Sequence, residues 1–355
     1  MERGVGAAAV GAIRRGTAIT DVRGSSTSAI RLHSILRAVT GNLDVVGGET
    51  LGGFSETYIP ESELGLHERL PDAQKEKQLG YDDHPVFTYR VAEMLKEPTE
   101  KTWGFPYADL VMGCHMANPT NVFRAMATED PYPIKAFFCL GNNALLSYAN
   151  QHQIHRAMLN QELIVSHEIF MTPTAMLADY VLPGDVFTER DHVADGWSWG
   201  TRLSLSQKVV DAPEEASSTF QFWTDLAHRM GFGDEFPWTS LEDMLDYRLS
   251  RGGRTFAEFE SATYMELAPP KFRKYRQKGF ATPSGKVELA SSVLADLGFD
   301  PLPYFRPGPA TSEDFPYLVF NGVREDPFFQ TGQRNIKALR DRCPVPSIFL
   351  QHGGA

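Results

Sequence analysis

Two neighbouring apolar runs in this chain end abruptly in groups able to hold a nucleotide-sized ligand. The first, in "CLGNNALLS", stops at Gly141, Asn142 and Asn143. The second, in "ELIVSHEIFMTPTAMLADYVLPGDVFTERD" (Glu162 to Asp191), stops at His167 and Glu168 and restarts behind Thr172, Pro173 and Thr174. Glycine permits close backbone approach, and an asparagine amide offers both a donor and an acceptor. A phosphate, ribose or base would suit such groups. Taken alone, Gly141 to Asn143 is better read as a tight turn built from residues that favour left-handed backbone. His167 and Glu168 alter that balance, because they place a second polar cluster at the end of the next strand of the same sheet. Thr172 and Pro173 then start a helix whose unpaired N–H groups could face an anion. The competing interpretation is that Thr172 only caps that helix while His167 and Glu168 are merely solvated.

Other candidate chemistries fail on spacing. "GFATPSGKV" resembles a phosphate-binding loop, but five residues rather than four separate Gly279 from Gly285, and Val287 stands where a magnesium-binding hydroxyl belongs. His152 and His155 share a helix face without a carboxylate at metalloprotease spacing, which favours a solvated or packed pair. Cys114 and His115 are adjacent, and neighbours in sequence rarely face one another. No G-x-S-x-G elbow or G-x-G-x-x-G fingerprint occurs. "KFRKYRQK", Lys271 to Lys278, interleaves cations with Phe272 and Tyr275, but on an acidic chain a solvated basic face is the better reading.

The elements that must carry these groups follow from the apolar pattern. Candidate strands "ADLVMGC", "PIKAFFCL" and "LIVSHEIF" alternate with helices starting at Asn118-Pro119 and running from about His152 to Leu159. Buried strands alternating with helices specify an α/β layer with a mostly parallel sheet, which binds ligands beyond the carboxyl ends of its strands. Ser25 to Gly41 predicts a helix with Ala29, Leu32, Leu36 and Val39 on one buried face. Glu56 to Lys101 is polar and proline-punctuated, which predicts a long surface excursion. "SSTFQFWTDLAHRMG" predicts a packed helix with Phe222, Leu226 and Met230 spaced by four, and "FATPSGKVEL" a turn into a strand presenting Val287 and Leu289. "DPLPYFRPGP" is the best linker candidate, and "FPYLVFNGVRE" and "SIFL" read as strands beyond it. Three units are therefore expected: a partial α/β domain over 1–107, a dinucleotide-binding α/β domain over 108–300, and the start of a C-terminal β-barrel-like domain over 311–355.

Composition narrows the function classes. The chain has 355 residues, with 34 Lys and Arg against 45 Asp and Glu, for a net charge of -11. Such a field disfavours nucleic acid and anionic membranes. No apolar run approaches the roughly 18 residues of a membrane helix, so direct membrane insertion is not expected. The three cysteines, Cys114, Cys139 and Cys343, form neither a C-x-x-C pair nor a disulfide framework.

Taken in order, "LRAVTGNLDVVGGE", "YPIKAFFCLGNNAL", "LIVSHEIFMTPTAMLADYVLPGDVFTERD", "FATPSGKVEL" and "VREDPFFQTGQRNIKALR" resemble successive signatures of the molybdopterin oxidoreductases of the dimethyl sulfoxide reductase family. The resemblance spans Ala29 to Leu350, and "TAMLADYVLP" and "TPSGKVEL" are its most specific parts. The last run is most similar to the thiosulfate and polysulfide reductase branch.

The resemblance implies an enzyme with molybdenum or tungsten held between two molybdopterin guanine dinucleotides. It implies that Gly141, Asn142, Asn143, His167, Glu168, Thr172 and Thr174 line one guanosine-diphosphate arm. It also implies that Gly322, Arg324, Gln330, Thr331 and Arg334 reach the pterins from the C-terminal domain. The chain departs from the family at Ala144, where a proline is usual, and at Gln330-Thr331, where His-Ser is common. Family members carry a four-iron four-sulfur cluster and a metal-ligating residue in an N-terminal region with no counterpart here. The expectation is therefore a central and early C-terminal piece of a longer catalytic subunit, one used in anaerobic respiration. Its expected partners are an iron–sulfur electron-transfer subunit and a small-molecule substrate. Cytoplasmic location is the default, with periplasmic export if the N-terminal region carries a signal. The alternatives are a non-redox hydratase or transhydroxylase of the same superfamily and a catalytically incompetent scaffold paralogue.

Overall fold

The computed structural model describes residues 26–49, 51, 57–59, 61–109, 116–194, 202–262, 264–269, 271–305, 311–314, 316–317 and 335–345. Gly322, Arg324, Gln330, Thr331 and Arg334 lie outside the described residues. So do Cys114, His115, most of the strand expected in "ADLVMGC", and the strands expected after residue 317.

The described elements used below are α1 (Ser26–Val39), α2 (Tyr89–Trp103), α3 (Pro119–Thr128), β1 (Ala136–Leu140), α4 (Ala144–Ser147), α5 (Gln151–Leu159), β2 (Leu163–Glu168), β3 (Tyr180–Pro183), β4 (His192–Ala194), β5 (Arg202–Ser206), α6 (Thr219–Arg229), α7 (Leu241–Ser250), α8 (Phe256–Glu260) and β6 (Tyr264–Glu266).

Strands β1, β2 and β3 pair in that order, all parallel, with Leu140 opposite His167 and Glu168 opposite Pro183. Side chains alternate across a strand, so the sheet has two chemically different faces. Cys139 and Ile164 face α3 and α5 and pack with Phe123, Met126, Ile154, Ala157 and Met158 in one core. On the other face Phe138 meets Phe222 and Trp223 of α6, with ring centroids 6.1 and 6.0 Å apart. Helices thus cover both faces, as a parallel sheet requires. The helix starts are capped as their sequences dictate: Asn118 accepts from the Thr120 N–H, and the Ser218 hydroxyl from the Gln221 N–H. Asp179 seats β3, its carboxylate accepting from the Ile164 N–H (2.7 Å) while its own N–H donates to the Ile164 carbonyl (2.9 Å).

A second sheet is antiparallel, in the order β4, β5, β6. Its core joins Leu203, Leu205 and Met265 to Leu245 and Leu249 of α7, Phe256 and Phe259 of α8, and Tyr58.

Several expectations are corrected. Residues 56–101 do not form a surface excursion: Tyr58 and Ile59 are buried, and α2 runs from Tyr89 to Trp103 through Pro98 with Tyr89, Val91, Ala92 and Thr99 buried. Proline usually punctuates such a stretch, whereas here the helix continues across Pro98. On α1 the apolar stripe is reversed, for Leu32, Leu36 and Val39 are exposed and Arg37 is buried, paired with Glu49 at 3.1 Å. Met230 ends α6 at its exposed C-cap instead of packing. "FATPSGKVEL" forms turns rather than a strand, leaving Val287 and Leu289 partly exposed.

The loop "GNLDVVGGE" meets the basic segment through Asp44. This fully buried carboxylate accepts from the Lys274 ammonium (2.7 Å), the Lys274 N–H (2.6 Å) and the Leu51 N–H (3.1 Å). Three charge-assisted bonds satisfy a charge that would otherwise be costly to bury. Among the described residues, no helix is long and apolar enough to cross a membrane.

Candidate functional site

At the carboxyl edge of the parallel sheet, β1 runs out at Leu140. The Gly141 N–H extends the ladder by one bond, to the His167 carbonyl (2.9 Å). Gly141 has φ +57° and open space where a Cβ would stand, so the backbone is bare at the rim. The turn that follows is pinned from inside. The Cys139 thiol, buried and pushed above its usual pKa by that burial, donates to the Asn142 carbonyl (2.9 Å).

Asn143 and Thr174 tie the two loops together. The fully buried Thr174 hydroxyl donates to Asn143 Oδ1 (2.8 Å) and accepts from the Leu145 N–H (3.0 Å). The Asn143 carbonyl accepts from the N–H groups of Leu146 (3.0 Å) and Ser147 (2.9 Å), starting α4. Asn142 is different. Its Nδ2 makes one long bond to the Tyr148 hydroxyl (3.4 Å), and its Oδ1 is buried with no hydrogen-bond partner. A buried acceptor without a donor calls for an explanation, of which a bound ligand is one.

The structure revises three of the expected site residues. His167 is 4 % exposed and points onto α6, with Nε2 2.9 Å from the Ser217 carbonyl and its ring against Phe222 at 5.7 Å. It shares the face of Phe138, so strand alternation turns it away from the rim. A Cβ on Gly184 would stand 3.1 Å from His167 Cε1, so glycine there lets the ring seat beneath the next strand. Thr174 is wall rather than surface. Thr172 starts no long helix: its hydroxyl accepts from the Ala175 N–H (3.1 Å), and only one tight turn, Ala175–Leu177, follows. A single turn lacks the aligned dipoles behind the anion-site argument. Glu168 is partly exposed at the rim, with Oε1 accepting from the Ile169 N–H (2.9 Å).

Sequence reasoning passed over the third strand end. Beyond β3 the Gly184 N–H donates to the Glu168 carbonyl (3.1 Å) and the Asp185 N–H to the Ser217 carbonyl (3.1 Å). The Asp185 side chain is 6 % exposed and pairs with Arg190, whose guanidinium also donates to the Asp185 carbonyl (3.2 Å). Both residues lie in the quoted run "LPGDVFTERD", and their five-residue separation was the available signal. Ser217 had none. The rim therefore combines bare backbone at Gly141, the Asn142 amide, Glu168 and the end of β3, a set of hydrogen-bonding groups at the ligand edge of a parallel sheet.

That fold is an α/β domain with helices on both faces of a parallel sheet. Residues 90–229 match the molybdopterin oxidoreductase family. The chain is 43 % identical over 339 residues to acetylene hydratase of Syntrophotalea acetylenica, covering 93 % of this chain and 46 % of that protein. The solved acetylene hydratase from Pelobacter acetylenicus superimposes with a TM-score of 0.84 at 42 % identity, over 92 % of this chain and 45 % of that one. The thiosulfate reductase molybdopterin-containing subunit PhsA of Salmonella typhimurium is 26 % identical over 202 residues, 50 % of this chain and 27 % of that subunit. The chain thus spans less than half the length of these relatives, all of them enzymes by name. It carries a molybdopterin oxidoreductase domain, with homologues in the dimethyl sulfoxide reductase family.

Proposed function

We propose that the protein to which this chain belongs is a molybdenum- or tungsten-pterin enzyme, and that the rim from Gly141 to Arg190 cradles the nucleotide end of a molybdopterin guanine dinucleotide. The observation that carries this is the orphaned Asn142 Oδ1, buried at a parallel-sheet edge within the stretch that matches the family. The residues fit such a group. A buried amide oxygen without a donor complements an N–H edge, and the bare backbone at Gly141 allows a flat or phosphorylated group to approach. When bound, the cofactor supplies the metal centre, and the protein supplies position and electrostatics.

In this account Asn142 contacts the ligand, while Asn143 and Thr174 hold the Asn142 turn at fixed height. His167, Gly184 and Ser217 set the spacing between the second and third strand ends. Arg190 neutralises the Asp185 carboxylate at the end of β3. The C-terminal residues Gly322, Arg324, Gln330, Thr331 and Arg334 are assigned to the pterin side by resemblance alone.

For the reaction, water addition is favoured over redox transfer, because the likeness to a hydratase covers 93 % of the chain at 43 % identity. The redox reading, with an iron–sulfur partner, rests on the reductase relatives such as PhsA. The deciding experiment takes the full-length protein and compares acetylene hydration, scored as aldehyde formed, with reduction of thiosulfate by a reduced dye. Hydration without dye oxidation supports the first reading, and dye oxidation without hydration supports the second.

A further inference from the structure

One buried side chain beneath the rim has no part in the account so far, the Cys139 thiol near the end of β1. Strand alternation turns Phe138 toward α6 and Cys139 toward α3 and α5, where it is 3 % exposed and packs with Phe123, Met126, Ile154 and Met158. Gly141, at φ +57°, then brings the chain back over that sulfur. The thiol meets the returning turn twice. Its S–H donates to the Asn142 carbonyl (2.9 Å), and its sulfur accepts from the Ala144 N–H, the first of α4 and one that no carbonyl of that helix can satisfy. Among the described residues, no other donor reaches the Asn142 carbonyl.

Both bonds bear on the setting of Asn142. Its peptide is held through the carbonyl, while its side chain has a buried Oδ1 without a partner and one long bond from Nδ2 to the Tyr148 hydroxyl (3.4 Å). A side chain so weakly held takes its direction from its own backbone.

We propose that Cys139 is a positioning residue for the rim: by bridging the Asn142 carbonyl and the Ala144 N–H, its thiol fixes the direction in which the Asn142 amide faces a bound nucleotide. This role rests on the rim being a nucleotide cradle. A thiol suits the place because it is a small apolar group toward the core and a weak donor and acceptor toward the turn. Burial raises its pKa, which keeps the S–H available to the carbonyl.

A role in packing alone would need only the volume, so three variants of the full-length protein separate the two. Cys139→Val fills the space without either bond, Cys139→Ser keeps both bonding functions, and Cys139→Ala removes bonds and volume together. The readouts are guanine nucleotide retained through extended dialysis and the urea midpoint. A neutral hydrogen bond is worth about three- to tenfold in an equilibrium, so Cys139→Val and Cys139→Ala should both lose nucleotide about three- to tenfold faster than wild type. Cys139→Ser should stay within about twofold of wild type even where its midpoint falls. Retention should thus follow bonding capacity and not stability. A Cys139→Val protein that holds nucleotide as wild type does, or a Cys139→Ser protein that loses it as fast as Cys139→Ala, overturns the proposal. If one variant does not fold, the other two decide it on the same criterion. Asn142→Ala distinguishes the levels: if it loses nucleotide early while Cys139→Val does not, only the positioning role fails. If Asn142→Ala also retains nucleotide like wild type, the cradle reading fails and the role falls with it.

Discussion

Replacing Thr174 by valine removes one hydroxyl and almost no volume, which makes it a clean probe of how the two rim loops are joined. In the wild type that hydroxyl donates to Asn143 Oδ1 at 2.8 Å and accepts from the Leu145 N–H at 3.0 Å, in a position with no solvent exposure. Valine leaves both partners unmatched, and an orphaned buried polar group costs about 1–3 kcal/mol. Asn143 is partly exposed, so water can reach one of the two, and the expected loss is about 2–3 kcal/mol rather than the sum of two full penalties. Thr174→Ser keeps the hydroxyl and deletes one methyl, a change worth about 1 kcal/mol. Urea unfolding of both variants measures the difference as a shift in midpoint at constant slope. A Thr174→Val loss no larger than that of Thr174→Ser would show that the hydroxyl does not couple the loops, and the pinning of Asn142 would lose its basis.

Further outcomes follow from the same geometry. Asn142→Ala removes a buried oxygen without a partner and a single 3.4 Å bond, so stability should stay within about 0.5 kcal/mol of wild type or rise, while guanine-nucleotide retention by the full-length protein falls. Gly184→Ala brings a methyl to 3.1 Å from the His167 ring and should cost about 1–2 kcal/mol in thermal or urea unfolding. Asp179→Ala leaves the Ile164 N–H without its side-chain acceptor and should cost about 1–3 kcal/mol, with faster exchange at the β2–β3 boundary. For Asp109→Asn, the sign is the opposite of an ordinary loss. The wild-type carboxyl, raised to about 6, weakens folding as pH climbs from 3.8 to 6, so the amide should stabilise the chain at pH 7 and flatten that part of the pH profile. Because Asp109 is only partly buried, a gain well below the ideal conversion of the shift is expected.

The parallel sheet and its flanking helices were legible because their signals are local. Apolar runs of strand length alternate with capped amphipathic helices, and Asn118-Pro119 and Ser218 mark helix starts that tertiary packing has no reason to override. The rim was legible to the level of which segments meet, not which side chains face out. Strand alternation buried His167 on the α6 face, a fact that depends on Gly184 and Ser217 from elements remote in sequence. Thr174 looked like half of a helix start and is a bridge to Asn143, a contact over 31 residues that no periodicity announces. The buried Arg37 and Asp44 are held by ion pairs with Glu49 and Lys274, while Leu32, Leu36 and Val39 on α1 stay exposed. Long-range charge pairing of this kind leaves no trace in a hydrophobic pattern.

The central claim is that this chain supplies the nucleotide cradle of a molybdenum- or tungsten-pterin enzyme. Its most direct test is to purify the full-length protein and its Asn142→Ala variant, measure bound molybdenum and tungsten, and quantify guanine nucleotide released by acid. The account predicts metal with guanine nucleotide in the wild type and a reduced nucleotide yield from a normally folded variant. A folded wild-type protein carrying neither metal nor guanine nucleotide would contradict it.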